Sequence, residues 1–349
     1  MTETVLPASL NFRMPAEWEP QSAVWLSWPH NPNTWPGQDM AEVESVYVAM
    51  VRALHAGQTV NLLVNDRPAA ERVSQTLEHA GVKLDSVRLH TIPTNDAWIR
   101  DYGPNFLVRP SGQDRIAFNK WLFNSWGGKY EWRNDNQVGY TLAETLGMPV
   151  FQPGIILEGG AIEVNGRGTC ITTEQCLLNK NRNGGMTREQ MEKYLRDYLG
   201  VRHIVWCQGE MEGDDTDGHI DNLARFVNPD TVLCASEEDP QDPNHKCLEE
   251  NYKILKNAKD QDGKPLNVAR LPMPGYVGDG ETRLPASYAN FYIGNKTVLL
   301  PTYNQPNDQI AFDLLRKFFP DREIAGIPCR TFIWGLGGIH CVTQQQPAV

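Results

Sequence analysis

The chain has 349 residues, of which 40% are hydrophobic and 21% are charged, so it can bury a large core and has the composition of an ordinary globular enzyme. Its net charge of -11 at pH 7 disfavours nucleic-acid binding, which needs a basic surface, and is compatible with a cationic substrate. The seven cysteines are scattered and include no Cys-x-x-Cys pair, which argues against a zinc ribbon and a thioredoxin-like redox site. The chain length argues against a disulfide scaffold, and a reducing cytosol fits better.

The N-terminal residues and the apolar runs lack the patterns expected of an export signal or a membrane span. Met1 to Pro7 lacks the basic stretch and the apolar run of a signal peptide. Apolar runs elsewhere are much shorter than a transmembrane helix. We therefore expect a cytoplasmic protein with no membrane partner, and no residue pattern predicts an oligomeric state.

In chain order, short apolar strands alternate with amphipathic helices, which predicts an α/β fold. Because no low-complexity linker interrupts the chain, we expect a single domain over residues 1–349. The helices recur at fairly regular intervals, as a repeated unit would require, although no sequence repeat is evident. Helices are predicted at 39–56, 69–80, 137–146, 187–199, 244–258 and 309–319, and strands at 23–26, 60–64, 204–206, 223–227, 232–235, 291–293 and 298–300.

Residues 95–104 (NDAWIRDYGP) form the first segment with the residue types of a functional loop. Two acids, an arginine and two aromatic residues precede a Gly-Pro pair, and loops of this type often carry function. A capped turn with an internal Arg–Asp pair explains the same residues equally well.

Two further segments place a polar residue beside small or apolar ones. In residues 157–161 (LEGGA), Glu158 precedes two glycines and an apolar strand, which suits a buried carboxylate but also a plain Gly-Gly turn. In residues 287–293 (SYANFYI), Asn290 lies within an aromatic strand, where a hydrogen-bonded structural role is the default interpretation.

Residues 213–221 (GDDTDGHID) concentrate acids around one histidine. A calcium loop fails in detail, because alignment on Gly218 places Gly213 at the first ligand position and Ala224 where the bidentate glutamate belongs. His219 and Asp221 would share one face of a strand and could form a metal pair, but a second histidine is missing nearby. A polar turn before the strand at 223–227 is the structural alternative.

Residues 335–346 (GLGGIHCVTQQQ) place Cys341 directly after a glycine cluster and a histidine. Glycines allow close backbone approach, and backbone donors with a neighbouring imidazolium lower the pKa of a thiol and make it nucleophilic. The alternative is a small apolar residue in a buried strand.

Together these segments offer one cysteine, one histidine and several carboxylates, without a metal-binding motif. A Cys–His pair alone would indicate a protease. Several carboxylates instead suit a planar cation such as a guanidinium, whose N–H groups bind carboxylates in bidentate fashion. A non-catalytic protein that binds cations is a further alternative, which the presence of both Cys341 and His219 disfavours.

These segments, in this order, resemble the agmatine deiminase and bacterial-type peptidyl-arginine deiminase family of guanidino-group-modifying enzymes. The resemblance covers nearly the whole chain, since residues 14–21 (MPAEWEPQ), 25–29 (WLSWP) and 339–347 (IHCVTQQQP) also match. It implies a five-bladed α/β propeller, or pentein, with pseudo-fivefold symmetry and a central active site that uses no cofactor and no metal.

The same resemblance implies roles for individual residues. Cys341 would be the nucleophile and His219 the general acid and base, while Asp101 and Asp221 grip the guanidinium. Glu158 would hold the histidine or the remaining guanidinium nitrogen. Other implied substrate-binding residues are Trp98, which lines the site, Asn290 and Asp215.

The implied reaction is hydrolytic deimination through a covalent amidino-cysteine, which converts agmatine to N-carbamoylputrescine and ammonia in putrescine biosynthesis. An amidinotransferase that uses the same intermediate remains an alternative. Agmatine is ranked before peptidyl-arginine and free arginine, because Arg100 is the only cation in the motifs and a substrate carboxylate needs one.

Two departures from the family pattern concern the rest of the substrate. Agmatine deiminases usually read Gly-Gly-Gly-Asn before Ile-His-Cys, whereas residues 335–338 are GLGG. Their N-terminal segment usually reads Trp-Pro-Glu-Arg-Pro-Asp-Asn-Trp-Arg, whereas residues 28–36 are WPHNPNTWP.

Overall fold

The computed structural model describes residues 5–349, so residues 1–4 of the segment interpreted above as lacking a signal peptide lie outside the described residues. Sixteen strands within 5–349 form five small sheets, with the orders β16-β1-β2-β3, β4-β5-β6, β7-β8-β9, β10-β11-β12 and β13-β14-β15. Their bounds are β1 Gln21–Ser27, β2 Thr59–Val64, β3 Val87–Thr91, β4 Asn105–Val108, β5 Ile116–Asn119, β6 Val150–Phe151, β7 Ile162–Val164, β8 Thr169–Thr173, β9 His203–Cys207, β10 Ala224–Asn228, β11 Thr231–Ser236, β12 Asn267–Pro272, β13 Tyr292–Ile293, β14 Thr297–Thr302, β15 Glu323–Pro328 and β16 Gln344–Pro347.

Each sheet is built on the same module. Its first two strands are antiparallel, and its second and third strands are parallel and joined through a helical connection. The first sheet takes its antiparallel strand from the end of the chain, since β16 pairs with β1, and it gains β3 as a fourth strand. Five such modules confirm the predicted five-bladed α/β propeller, which is closed by pairing the two ends of the described chain.

Five of the six longer helices provide these parallel connections, and α2 links β2 to the extra strand β3. Capping residues mark their ends: Asp39 accepts a hydrogen bond at the start of α1, and Thr187 forms a capping box with Gln190 at the start of α8. The helices are α1 Met40–Leu54, α2 Arg67–His79, α3 Ile99–Tyr102, α4 Ser125–Gly128, α5 Arg133–Leu146, α6 Glu174–Leu177, α7 Lys180–Asn183, α8 Arg188–Leu199, α9 His245–Asn257 and α10 Asp308–Phe318.

The core lies between each sheet and its helix. Helix α1, for example, buries Val43, Val46, Tyr47, Met50, Val51 and Leu54 on one face, as their spacing predicts. Fully burying one aliphatic or aromatic side chain of this size stabilises the fold by about 1.5–3 kcal/mol. The centre of the propeller, in contrast, contains buried polar and charged side chains.

All six predicted helices are present, with no end displaced by more than four residues. The largest displacement is at α5, which starts at Arg133 rather than 137, because Asp135 in its first turn accepts hydrogen bonds from the backbone of Asn95 and Asp96.

Among residues 5–349, no helix is long and apolar enough to cross a bilayer. All seven cysteines are buried and free.

Candidate active site

Each module delivers a polar group to the centre from the segment that leads into its first strand. Helix α3 carries Asp101 into β4, and the turns at Gly159–Ala161, Ile220–Asn222 and His340–Val342 lead into β7, β10 and β16. Asn290 stands two residues before β13. Because the modules are related by pseudo-symmetry, residues far apart in sequence converge here, namely Asp101, Glu158, His219, Asp221, Asn290 and Cys341.

Three of these groups meet over the bare α-carbon of Gly160. A Cβ atom built there would lie 2.5 Å from His219 Nδ1, 2.9 Å from Asp101 Oδ1 and 3.0 Å from Asp221 Oδ2. The Gly160 amide donates to Asp101 Oδ1 at 2.9 Å. Any side chain at position 160 would force these three groups apart, which explains why this position is a glycine.

Asp101 lies in surroundings that disfavour its negative charge when no ligand is bound. Burial raises the pKa of Asp101 to about 6. The nearby His219 lowers this pKa only in part, and the negative charges of Asp221 and Glu158 raise it further. Trp126 Nε1 donates to Asp101 Oδ2 at 3.0 Å. A cation placed beside Asp101 would therefore bind most tightly once this carboxyl group has ionised.

His219 is fully buried, and within the described range neither of its ring nitrogens has a hydrogen-bond partner. Its Nδ1 lies 3.8 Å from Asp101 Oδ1. Burial pushes the pKa of His219 downward, but Asp101, Asp221 and Glu158 outweigh it, so the pKa ends above its usual value. These charges therefore favour the protonated form of the ring, which can donate a proton.

Cys341 is only 4% exposed, and its thiol donates toward Asp221 Oδ2 at 3.8 Å. Burial, together with the charges of Asp221 and Asp101, raises the thiol pKa well above its usual value. The expectation that a neighbouring imidazolium lowers this pKa is wrong, because the ring of His340 hydrogen-bonds Asp221 and Glu17 instead. A cationic ligand that neutralised the two aspartates would favour the thiolate.

Glu158 is buried and shared between two neighbours. Its Oε1 accepts from Arg182 Nε at 2.7 Å, and its Oε2 accepts from the Cys176 thiol at 3.7 Å. Ligand atoms of Glu158, Cys176 and His219 all lie within 4.8 Å of one another. Glu158 is therefore adjacent to His219, as expected, but its hydrogen bonds go to Arg182 and Cys176.

This trio has the residue types of a metal site, but Arg182 already neutralises Glu158 through a buried ion pair. A divalent cation would compete with that guanidinium. We expect full activity after exhaustive chelation, with no stoichiometric metal by elemental analysis. Loss of activity in EDTA that one divalent ion restores would contradict this prediction.

The prediction that His219 and Asp221 share one face of a strand is wrong. His219 precedes a 3₁₀ turn at Ile220–Asn222, and β10 starts only at Ala224. Asp217 and Gly218 both have positive φ, and a Cβ at Gly218 would lie 2.5 Å from the α-carbon of Gly209. This tight approach turns the chain inward before the strand begins.

Trp98 and Asn290 both support the segment around the cysteine. A Cβ at Gly337 would lie 2.4 Å from the Trp98 ring, so the glycine segment rests directly on this indole. Asn290 Oδ1 accepts from the His340 amide at 2.9 Å, and its Nδ2 donates to Cys341 Sγ at 3.3 Å. Asn290 therefore contacts the thiol itself.

Asp215 lies farther out than the other predicted site residues. Its side chain is 30% exposed, accepts from Tyr130 Oη at 2.8 Å and pairs with Lys129. Lys129 also pairs with Asp217, which in turn binds Arg182. Asp215 thus joins the buried cluster through a chain of ion pairs, and a role in substrate binding stays a prediction.

Sequence reasoning missed three residues that build the site, namely Glu17, Trp126 and Arg182, and it assigned His340 to the thiol rather than to Asp221 and Glu17. Arg182 is a second buried cation, whereas Arg100 pairs with the distant Glu17 rather than with local acids. Trp126 reaches Asp101 from a segment with positive φ at Ser125 and Trp126. The Gly-Gly pair that follows Trp126 was the available signal for such a turn.

Comparison with known proteins agrees with this architecture. The sequence model described as Porphyromonas-type peptidyl-arginine deiminase matches residues 13–347. Agmatine deiminase from Pseudomonas syringae pv. tomato is 38% identical, over 98% of this chain and 97% of that protein.

Solved structures give the same result. Agmatine deiminase of Enterococcus faecalis superposes with a TM-score of 0.90 at 30% identity, covering 99% of this chain and 98% of that one. A variant of C. jejuni agmatine deiminase with substrate bound gives a TM-score of 0.86 at 31% identity, covering 97% and 96%. With a match over nearly its whole length, the chain belongs to the Porphyromonas-type peptidyl-arginine deiminase family, which was identified above from its motifs.

Proposed function

We propose that this protein catalyses the hydrolytic deimination of agmatine to N-carbamoylputrescine and ammonia. The observation that carries the proposal is the meeting of Asp101, His219 and Asp221 over Gly160, with Cys341 beside Asp221. Relatives named agmatine deiminase over nearly the whole chain support it. Because every module contributes a group to this centre, we also propose that the chain acts as one catalytic domain.

Substrate binding supplies the charge that the site lacks. Buried carboxylates are costly unless they are paired, and a guanidinium offers a planar set of N–H donors that can satisfy both aspartates. Asp101 and Asp221 bind the guanidinium on entry, and the cation offsets the charges that hold the Cys341 thiol protonated, so the thiol releases its proton to solvent and becomes a thiolate. The substrate thereby activates its own nucleophile.

The chemical steps then follow from the positions of Cys341 and His219. The thiolate attacks the central guanidinium carbon and forms a C–S bond, and His219 donates a proton to the nitrogen that leaves as ammonia. An S-alkylthiouronium remains on Cys341. His219, now neutral, takes a proton from water as the water attacks the same carbon, and cleavage of the C–S bond releases the ureido product.

The charges around the site favour agmatine, which has an ammonium at its far end and no carboxylate. Among residues 5–349, the buried guanidinium groups beside the site are already in ion pairs with carboxylates, namely those of Arg100, Arg182 and Arg225. A free arginine would bring a carboxylate without an available partner. Peptidyl-arginine is the second candidate, because the family description names it, but the deep burial of Cys341 disfavours a polypeptide.

A panel of guanidines tests the substrate assignment. Ammonia release should give the highest kcat/KM for agmatine, followed by peptides with internal or C-terminal arginine, and then free arginine. The assay omits amine acceptors, so turnover also separates hydrolysis from amidino transfer. If peptidyl-arginine exceeds agmatine by about tenfold or more, the substrate assignment is wrong while deimination stands.

A further inference from the structure

His340, the residue before the proposed nucleophile, lies between two carboxylates. Its Nδ1 is 2.7 Å from Asp221 Oδ2, and its Nε2 is 2.8 Å from Glu17 Oε2. The three side chains come from distant parts of the sequence and are all buried. An ionised carboxylate can only accept hydrogen bonds, so a ring that donates from both nitrogens is the form of His340 that satisfies both carboxylates.

Glu17 has the surroundings of a permanently ionised anchor. It precedes β1 and accepts from Arg225 Nη2 at 2.9 Å, from the Ile293 amide at 2.7 Å and from Arg100 Nη2 at 3.3 Å. Burial pushes the pKa of Glu17 upward, but Arg225, His340 and Arg100 outweigh it, so the pKa lies below its usual range. This carboxylate fixes one end of the His340 ring.

Asp221, at the other end, has one oxygen occupied and one free. Its Oδ2 accepts from His340, whereas its Oδ1 is buried and has no hydrogen-bond partner among the described residues. Burial again pushes the pKa upward, and the hydrogen bond and charge of His340 bring the pKa of Asp221 below its ordinary value. The Asp221 carboxylate is therefore ionised, and its hydrogen bond to His340 fixes its orientation.

We propose that His340 is a positioning residue, which Glu17 anchors and which keeps Asp221 ionised and oriented to bind the substrate guanidinium. The inference rests on the proposed deimination, adds Glu17 to the site and gives His340 a role toward Asp221 rather than toward the thiol. Without the imidazolium, Asp221 would stand beside Asp101 and Glu158 in a buried site that favours its protonated form. A neutral or rotated Asp221 would bind a cation poorly.

Substitution His340→Gln tests this role, because glutamine can donate to only one of the two carboxylates and carries no charge. We expect kcat/KM for agmatine to fall about 100-fold, as for a buried charge pair that loses one member, mainly through a higher KM. Alkylation of substrate-free Cys341 by iodoacetamide should not become slower, because loss of the Asp221 charge would lower the pKa of this thiol rather than raise it. A merely structural role would lower stability and kcat and leave KM unchanged.

Matched variants keep the test decisive. His90→Gln, at a half-buried histidine that contacts Asn61 in the first sheet, should leave the kinetics unchanged. If His340→Gln fails to fold, Glu17→Gln decides, since it keeps the shape of the anchor but removes its charge. We expect this variant to raise KM at least about tenfold, and an unchanged KM would overturn the inference.

A double-variant cycle asks whether His340 acts through Asp221. If it does, His340→Gln combined with Asp221→Asn should be no worse than Asp221→Asn alone, within about threefold. Effects that multiply independently would overturn the inference. Wild-type protein that releases no ammonia from agmatine would instead refute the proposed function, so the two failures are distinguishable.

Discussion

Replacing Cys341 by alanine should lower agmatine turnover by about 10⁴-fold or more, because removal of a nucleophile from a cooperating set abolishes most of the catalysis. The thiol lies beside Asp221 and Asn290 at the centre of the propeller. Steady-state ammonia release measures the loss, and circular dichroism checks the fold.

Cys234 provides the matched control for this variant. It is fully buried in β11, distant in sequence from the proposed nucleophile, and its thiol pKa is raised to about 12, chiefly by burial. Cys234→Ala should retain most of the wild-type activity. Near-normal turnover by Cys341→Ala would show that Cys341 is not the nucleophile.

Substitutions Asp101→Asn and Asp221→Asn should each reduce kcat/KM by several hundred-fold. Both keep the shape of the side chain but remove a negative charge that pairs with the substrate, and loss of one member of a buried pair costs about 3–5 kcal/mol. Asp313→Asn, at an exposed acid on α10, serves as the control. Iodoacetamide should still alkylate Cys341 in both variants, and wild-type kinetics in either would exclude that aspartate from the site.

Asp101 also has a consequence for the pH dependence of the wild-type enzyme. Because burial raises its pKa to about 6, the carboxyl group becomes neutral as the pH falls through that value, and cation binding weakens. Wild-type kcat/KM should therefore decline on the acid side near pH 6. Asp101→Asn removes this titrating group and should flatten that limb of the profile.

Local patterns in the sequence were sufficient to predict much of the secondary structure. Apolar spacing and caps such as Asp39 and Thr187 predict α1 and α8 because these signals act within one helix. The fivefold repeat was not visible, because the modules share hydrogen-bond geometry and not residues. The family resemblance, rather than periodicity, predicted the propeller.

The candidate site was predictable where chemistry lies in short motifs, as at Cys341 and His219. The hydrogen-bond partners of these residues were not predictable where they come from another module. Glu17 and His340 are separated by 323 positions along the chain, and Arg182 reaches Glu158 from a helix without any catalytic motif. The short 3₁₀ turn after His219 follows the close approach of Gly218 to Gly209. This tertiary contact could not be predicted from the local sequence, which favours a strand.

Trapping of the covalent intermediate tests the central claim most directly. His219→Ala and wild-type protein would be mixed with agmatine, quenched in acid and examined by mass spectrometry, with Cys341→Ser as the control. We predict an adduct on the peptide that contains Cys341, with the mass of agmatine less one ammonia, and none on the other six cysteines. Turnover of agmatine without any such adduct, or an adduct that persists in Cys341→Ser, would contradict the account.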